Sequence, residues 1–345
     1  MNTRPRYRFH RQAGVGLVEI MVAVTLSLIL TAGLVHVYTG NKQTYRIQEA
    51  LSRVQENGRF ALDFITRDLR SAGFLGCAGT STKTTNTLNN ASTFNWNFDQ
   101  IIEGFEATGS SWDRDPVATA GIVSPYLPAR DVLTIRRSLG NPVQVAAYPG
   151  GNPTGSADIK VDPPHGLERF DVVMVTDCTD AAIFQITNIN TSGASQNIVH
   201  NTGGASTPGN ATKALGKDYT GAGEIVQLMT STYYIGTGAS GRPALFRKDG
   251  AAAAQELVEG VEDMQVLYGI DTDSNRTANR YVTANNVADW GDVVSAEVRL
   301  LLQTLDNNLT PQAQPYTFNG VNTLPADLRL RRVFTNTISI RNRTL

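Results

Sequence analysis

The spacing of hydrophobic and polar positions changes twice along the chain. From Val15 to Val37 nearly every residue is apolar, and the only formal charge is Glu19. As a helix this run is about 34 Å long, enough to cross a hydrocarbon core of ~30 Å. Along residues 41–70 apolar residues recur every three or four positions between charges, which predicts an amphipathic helix. Because no proline interrupts either pattern, they predict one continuous helix over residues 15–70.

Beyond this helix the sequence becomes strand-like and rich in turns. Gly73 and Gly76 predict where the helix ends. Residues 264–270 fit either a strand or a helix end, and the polar stretches 79–95 and 190–222 have the composition of loops. Together these elements predict one α+β unit in which a long helix lies on an antiparallel sheet. Strand-like composition is found in residues 131–137, 170–176, 182–189, 224–235, 244–248, 293–304 and 331–340.

Charge is distributed unevenly along the chain. Residues 1–14 contain four arginines and no acidic residue, and basic residues before a membrane helix keep that end on the cytoplasmic side. The whole chain of 345 residues has 30 Lys+Arg and 31 Asp+Glu, a formal net charge of −1. Without the four arginines of residues 1–14 it is mildly acidic. This balance argues against a protein that binds nucleic-acid phosphates over a basic face.

The N-terminus differs from an ordinary secretory signal, although an uncleaved signal anchor also fits its composition. No A-x-A cleavage site follows the apolar run, whereas Gly14 stands directly before it. Glu19 lies inside the run, where an unpaired carboxylate costs at least a few kcal/mol. The pattern therefore indicates that another group pairs with this carboxylate.

A basic leader, Gly14, V-G-L-V-E at residues 15–19 and an apolar stretch together resemble the type IV prepilin signature. The resemblance implies that a membrane-embedded aspartyl peptidase cuts between Gly14 and Val15, and that Val15 is then N-methylated. It also implies that Glu19, the fifth mature residue, faces a positively charged N-terminus in the assembling filament. Val15, followed by Gly16, departs from the phenylalanine that the family usually has at the first mature position.

Further segments resemble the PilW-type minor pilins, which are related to the J-type pseudopilins of type II secretion. The resemblance implies the type IV pilin fold, divided into a cleaved leader (1–14), a helix whose first part is transmembrane (15–70) and a β-rich periplasmic or extracellular head (71–345). The segments that carry it are F-x-x-R-D-L-R-S-A-G-F-L-G-C (64–77), Y-Y-I (233–235), A-L-F-R (244–247), L-V-E-G-V-E-D-M-Q-V-L-Y-G-I-D (257–271) and R-R-V-F-T-N-T-I-S-I-R-N-R (331–343).

The resemblance implies a non-enzymatic protein that primes assembly of a pilus used in adhesion and twitching motility, and that sits at or near its tip. It would reside in the inner membrane before assembly and in the pilus afterwards. The implied partners are other minor pilins, the major pilin, a PilY-type tip adhesin, the prepilin peptidase and the inner-membrane assembly platform. A minor pseudopilin of a type II secretion system is the nearest alternative. A membrane-anchored periplasmic enzyme or binding protein is the alternative from another class.

Cys77 and Cys178 are the only cysteines, which excludes a disulfide-dense scaffold and a four-cysteine zinc site. Because the head implied by the resemblance lies in the oxidising periplasm, we expect them to form a disulfide. Two free buried thiols are the alternative.

Asp271, Asp273 and Asn275 alternate just after a strand-like segment, as oxygen ligands do in calcium loops. Arg276 occupies the position where an EF-hand needs glycine, so a complete EF-hand is excluded. The alternatives are a looser calcium turn, completed by a backbone carbonyl together with Asp289 or Asp292, and a solvated turn without metal.

Other motifs point away from chemistry. G-T-G-A-S-G at 236–241 follows a strand but precedes Arg242 and Pro243 instead of a helix, which predicts a hairpin turn and not a nucleotide site. No G-x-S-x-G elbow is present, and the four histidines are scattered. The C-terminal arginines fit either charged protection of a strand edge or a docking face. These arginines are Arg329, Arg331, Arg332, Arg341 and Arg343.

Overall fold

The computed structural model describes residues 14, 16–78, 82–148, 157–192, 195–203 and 207–344. The chain divides into two compact units, Met1–Ser52 and Arg53–Leu345, which are described separately below. The first part of helix α1 (Leu17–Arg70) belongs to the first unit and its last part to the second.

The apolar part of α1 exposes its side chains along its whole length. By length and composition α1 is able to cross a membrane, with a mean hydropathy of 2.3 over its most apolar stretch. Its hydroxyl groups suit such surroundings because they bond to the helix itself. Thr25 donates to the Met21 carbonyl at 2.8 Å, and Ser27 donates to the Ala23 carbonyl at 2.7 Å.

The second unit contains the end of α1, two further short helices and all the strands. The helices are α2 (Pro116–Ala120) and α3 (Arg341–Thr344), with 3₁₀ turns at Phe94–Trp96, Ala284–Asn286 and Trp290–Asp292. The strands are β1 (Lys83–Asn86), β2 (Ile102–Phe105), β3 (Ala107–Thr108), β4 (Ser111–Trp112), β5 (Val132–Ala147), β6 (Asp158–Val161), β7 (Val172–Thr176), β8 (Asp180–Gln185), β9 (Asn188–Ser192), β10 (Ser195–Val199), β11 (Glu224–Thr237), β12 (Pro243–Asp249), β13 (Gln255–Glu259), β14 (Val261–Ile270), β15 (Arg280–Val282), β16 (Val293–Gln303), β17 (Tyr316–Phe318), β18 (Val321–Thr323) and β19 (Arg331–Ser339).

Two sheets dominate this unit. The larger has the order β1-β8-β7-β11-β5-β6-β10-β9, with β2 beside β5, β12 beside β11 and β13 beside β12. The smaller has the order β15-β14-β16-β19. Every ladder is antiparallel except the one between β1 and β8, among the residues described. A long helix with antiparallel sheets confirms the predicted α+β class.

The end of α1 packs into the core through the stripe that the sequence predicted. Ala61, Ile65 and Leu69 are fully buried against residues of β14 and β16. Gly58 lies on the buried side of the helix, although glycine lowers helix propensity by about 1 kcal/mol relative to alanine. A Cβ at this position would lie 2.5 Å from the Phe334 ring, so glycine allows β19 to approach the helix closely.

A buried ion pair fixes the last turn of this helix. The Asp68 carboxylate lies 2.8 Å from an Arg137 guanidinium nitrogen, and both side chains are at least nine-tenths buried. Tyr233 donates its hydroxyl to the same carboxylate at 2.7 Å. Burial, and then the adjacent carboxylate, raise the pKa of Tyr233, so its hydroxyl keeps its proton and remains a donor. The Asp68 carboxylate thereby joins the helix to β5 and to β11.

A second core is formed by residues of β5 to β8, β10 and β11 of the large sheet, and a histidine packs against it. His200 is fully buried, with its ring centroid 4.8 Å from that of Phe184 and 6.4 Å from that of Tyr148. Burial lowers the pKa of His200 to about 4. The imidazole is therefore neutral at physiological pH and acts as part of the apolar core.

Most of the predicted strands are present, and the ambiguous segment 264–270 is part of β14. Three predictions were wrong in detail. The strand expected over 182–189 is divided between β8 and β9, and the expected loops at 79–95 and 190–222 contain β1 and β10 respectively. Only Ile198 and Val199 of β10 are buried, so its polar sequence hides its strand character. The strand is held by its pairing with β6 and β9, which the local sequence pattern does not reveal.

The Asp68 contact predicts a large loss of stability on truncation. We expect Asp68→Ala to lower the free energy of unfolding by about 3–5 kcal/mol, because it leaves the Arg137 charge buried without its partner. Asp63→Ala is the matched control. Asp63 lies about one turn before Asp68 and pairs with Arg67, but both of these side chains are more than half exposed. That change should cost less than about 1 kcal/mol. Urea denaturation of both variants measures the difference, and equal losses would contradict a special role for Asp68.

The histidine in the second core predicts a pH dependence. The folded-state pKa of about 4 lies below the usual 6.5, so the unfolded chain binds an extra proton between these values. The contribution of His200 to the free energy of unfolding should be fully present above pH 6.5. It should fall by up to about 3 kcal/mol as the pH is lowered to 4. Denaturant midpoints measured across this range test the prediction. His200→Phe should flatten the slope, and an unchanged slope in this variant would assign the effect to other groups.

Candidate assembly site

The candidate assembly site begins where α1 starts. Gly14 and Gly16 are exposed and non-helical, and Val15 lies outside the described residues. The Gly16 carbonyl accepts the first helical hydrogen bonds, from the backbone N–H of Glu19 at 3.0 Å and of Ile20 at 3.2 Å. The predicted cleavage position therefore lies just before the first turn. Cleavage between Gly14 and Val15 and methylation of Val15 stay predictions.

Glu19 occupies the first turn of the helix, where a negative charge interacts favourably with the exposed backbone N–H groups. It stands at the head of a shallow groove on one helix face, which continues every fourth residue through Ala23, Ser27 and Thr31. Ser27 and Thr31 donate their hydroxyl hydrogens to carbonyls one turn earlier, at 2.7 Å in each case. The groove is thus apolar in effect, apart from the carboxylate at its end.

The Glu19 carboxylate is exposed and accepts no hydrogen bond from the part of the chain that the structure describes. A carboxylate in an apolar stretch needs a cationic or hydrogen-bonding partner once water is removed. The small side chains beside it allow another helix to approach closely. This arrangement suits pairing with a positive group on another polypeptide. The role of Glu19 in assembly stays a prediction.

In the second unit, Cys77 and Cys178 form the expected disulfide, with the sulfurs 2.12 Å and the Cα atoms 5.0 Å apart. The bridge joins the segment after α1 to the turn between β7 and β8. Glu224 supports it by accepting a hydrogen bond from the Cys77 N–H at 2.8 Å. Gly76 is required here because its φ is +67° and a Cβ would lie 2.5 Å from the Glu224 carboxylate.

The turn that was a candidate calcium site is organised by its own side chains. The Asp271 carboxylate accepts hydrogen bonds from three backbone N–H groups, those of Asp273, Asn275 and Arg276, at 3.2, 3.2 and 2.6 Å. The Asn275 side chain donates to the Asp273 carboxylate at 3.0 Å. Over the described residues, no group of three or more His, Cys, Asp or Glu side chains is placed to hold a metal. Calcium binding at this turn stays a prediction.

Three of the five C-terminal arginines have internal roles, which corrects the interpretation of these three as surface charge. Arg331 pairs with Glu262 and with Asp327, each at 2.7 Å, and its side chain is only 5% exposed. Arg329 donates to the Thr304 carbonyl at 2.8 Å, and Arg343 to the Val293 carbonyl at 3.0 Å. Arg332 and Arg341 are exposed.

A buried carboxyl group escaped the sequence analysis. Asp131 accepts hydrogen bonds from the Ala107 N–H at 2.9 Å and from the Val266 N–H at 2.8 Å. Burial, followed by the nearby Glu106, raises the pKa of Asp131 to about 8. Since both oxygens bind backbone groups of separate elements, the residue is a structural link.

The G-T-G-A-S-G segment is the predicted hairpin turn, with Thr237 opposite Pro243.

Comparisons with known proteins match two parts of the chain. Residues 232–342 match the family model of type IV pilus-assembly protein W (PilW). Residues 9–35 match the prokaryotic N-terminal methylation motif. A search of curated proteins found no match. Among solved structures, a type IV-like pilin from Thermus thermophilus aligns over 86% of this chain and 98% of its own, with 10% identity and a TM-score of 0.31.

The two family matches confirm the resemblance to PilW-type proteins and to prepilins. The chain carries a PilW-type pilus-assembly segment behind a methylation-type N-terminus, and so takes part in type IV pilus assembly. It groups with structural proteins and not with enzymes. The N-terminal motif covers Gly14, Val15 and Glu19, whereas the PilW match covers the strands from the end of β11 through β19.

The disulfide predicts a measurable stabilisation. We expect the double variant Cys77→Ser/Cys178→Ser to lower the free energy of unfolding by about 2–4 kcal/mol, because the bridge closes a long loop. Mild reduction of the parent protein should give a similar loss, and the same reductant should leave the double variant unchanged. Guanidinium unfolding under both conditions measures these values. A double variant as stable as the parent would show that the bridge contributes nothing.

Proposed function

We propose that this protein is a minor pilin that helps to prime type IV pilus assembly and sits at or near the pilus tip. The observation that carries the proposal is the Glu19 carboxylate, which is exposed within an apolar helix directly after a prepilin-type leader. A β-rich unit with a PilW-type segment follows this helix.

The assembly step follows from the electrostatics of the helix. While the precursor is in the inner membrane, the first turn of α1 lies near the cytoplasmic boundary, where Glu19 stays close to water. Cleavage after Gly14 would create a new amino group at Val15, and methylation would leave it positively charged. In a bundle of such helices, the amine of one subunit pairs with Glu19 of another. Because the bundle excludes water, this contact is strong and fixes the axial register of the two helices.

Partners and location belong to the same proposal. The apolar helix holds the protein in the inner membrane, where the prepilin peptidase and the assembly platform act on it. After assembly the helix lies among those of the major pilin and other minor pilins. The second unit is then outside the cell, where it contacts other tip proteins, including a PilY-type adhesin. The PilW match supports the pilus over the type II secretion machine as the destination.

The proposal predicts that Glu19 is needed for incorporation but not for processing. Glu19→Ala should be present in membranes at the parent level and cut after Gly14, yet fall at least about tenfold in sheared pili, because the buried amine loses its partner. The measurements are mass spectrometry of the mature N-terminus and immunoblots of membrane and pilus fractions.

Glu56→Ala is the matched control, since it removes an exposed acid from the same helix outside the apolar run. It should leave both processing and incorporation at the parent level. If the mature protein still began at Met1, or if Glu19→Ala entered pili normally, the proposed function would be wrong.

A further inference from the structure

Strand β19 forms one outer edge of the four-stranded sheet. All 9 of its residues pair with β16 in continuous register. Its other side pairs with no strand in the part of the chain that the structure describes. The C-terminal strand therefore ends the sheet with an open row of backbone groups.

The direction of these groups follows from the ladder. The Ile340 N–H donates to the Val294 carbonyl, and the Leu330 carbonyl accepts from the Thr304 N–H, each at 2.9 Å. Because backbone groups alternate sides along a strand, the even-numbered residues of β19 bond to β16. The odd-numbered residues from 333 to 339 thus direct their N–H and C=O groups outward. Their side chains are also exposed.

Beyond the exposed Arg332 at its start, this edge lacks the protection that native edges normally have. Short length, lysine, proline or a bulge usually prevents pairing with another chain. At the other end of the same sheet, β15 has only 3 residues, and in the large sheet β13 shows a register shift against β12. By contrast, residues 333–339 of β19 read V-F-T-N-T-I-S, without charge or proline. The Arg331 side chain, which would mark the edge as charged, is turned inward to Glu262 and Asp327.

We propose that the free edge of β19 is the docking site for a β-strand donated by another pilus protein. The expected strand has an uncharged centre and an acidic residue at the end that lies beside Arg332. An extended backbone is the partner that satisfies a row of outward N–H and C=O groups. Exposed Arg332 near the start of β19 favours a negative residue on that flank. This inference rests on the proposed function, because it names a partner within the same assembly.

The test uses the full chain in detergent micelles and a synthetic peptide of alternating threonine and valine flanked by aspartates. Amide hydrogen exchange reports which backbone groups the peptide covers. On binding, exchange at Val333, Thr335 and Thr337 should slow by at least about tenfold, while Phe334 and Asn336, which already bond to β16, should change little. A lysine-flanked version of the peptide should bind several-fold more weakly.

A pair of variants at one position separates strand pairing at this edge from non-specific binding of the peptide. Thr335→Pro removes an outward N–H without breaking a bond to β16, and should weaken peptide binding at least about tenfold. Thr335→Val keeps the N–H and should bind within about twofold of the parent. Thermal unfolding shows whether both variants fold. The exchange pattern of the parent tests the proposal even if the proline variant does not fold.

Several outcomes would overturn the inference. Equal binding by a folded Thr335→Pro variant, or protection of even- and odd-numbered amides alike, would exclude edge pairing. If the parent instead paired with itself through this edge, the occupant would be a second copy and the proposed partner would be wrong. Failure of the proposed function is distinguishable: peptide binding that persists while Glu19→Ala enters pili normally refutes the pilus role and leaves the docking edge in place.

Discussion

A charge removed from water must find an opposite charge, and this requirement governs both ends of helix α1. Near its C-terminal end, Asp68 is buried and satisfied within the chain by Arg137 and Tyr233. Near its N-terminal end, Glu19 has no such partner within the described residues. The first carboxylate thus stabilises the folded unit, whereas the second is left exposed on an apolar helix. The same physical rule explains why Asp68 is read as a structural residue and why an assembly role is proposed for Glu19.

The satisfied end shows how a polar contact can organise an apolar core. The stripe of Ala61, Ile65 and Leu69 is buried in the core, and hydrophobic burial by itself is not directional. The Asp68 ion pair accepts only one orientation of the helix, because a small rotation would leave two buried charges apart. Gly58 adds a second restraint, since only this face of the helix lets Phe334 approach so closely. Burial of apolar surface stabilises the packing of the helix, and these two contacts restrain its rotation against the sheet.

Local patterns in the sequence predicted the features that depend on local chemistry. The apolar run, the end of the helix and the strands with regular alternation belong to this class. The disulfide was predicted differently, from the presence of only two cysteines in a head that the resemblance places in the oxidising periplasm. The features that were missed depend on partners distant in sequence. Asp131 looks like any other loop carboxylate until Ala107 and Val266 are seen to converge on it. Likewise, the C-terminal arginines looked like edge charges because sequence does not show Glu262 and Asp327 beside Arg331.

The contact between the end of α1 and β19 also sets an order of events during biogenesis. Asn336 donates to the Thr66 hydroxyl across 270 residues of sequence. The helix is synthesised before β19, so this contact forms only after the intervening residues have been made. Such pairings between distant residues form slowly. Until β19 is made, the helix surface around Gly58 and Thr66 lacks this cover, so a polypeptide interrupted before β19 exposes a surface that chaperones and proteases recognise.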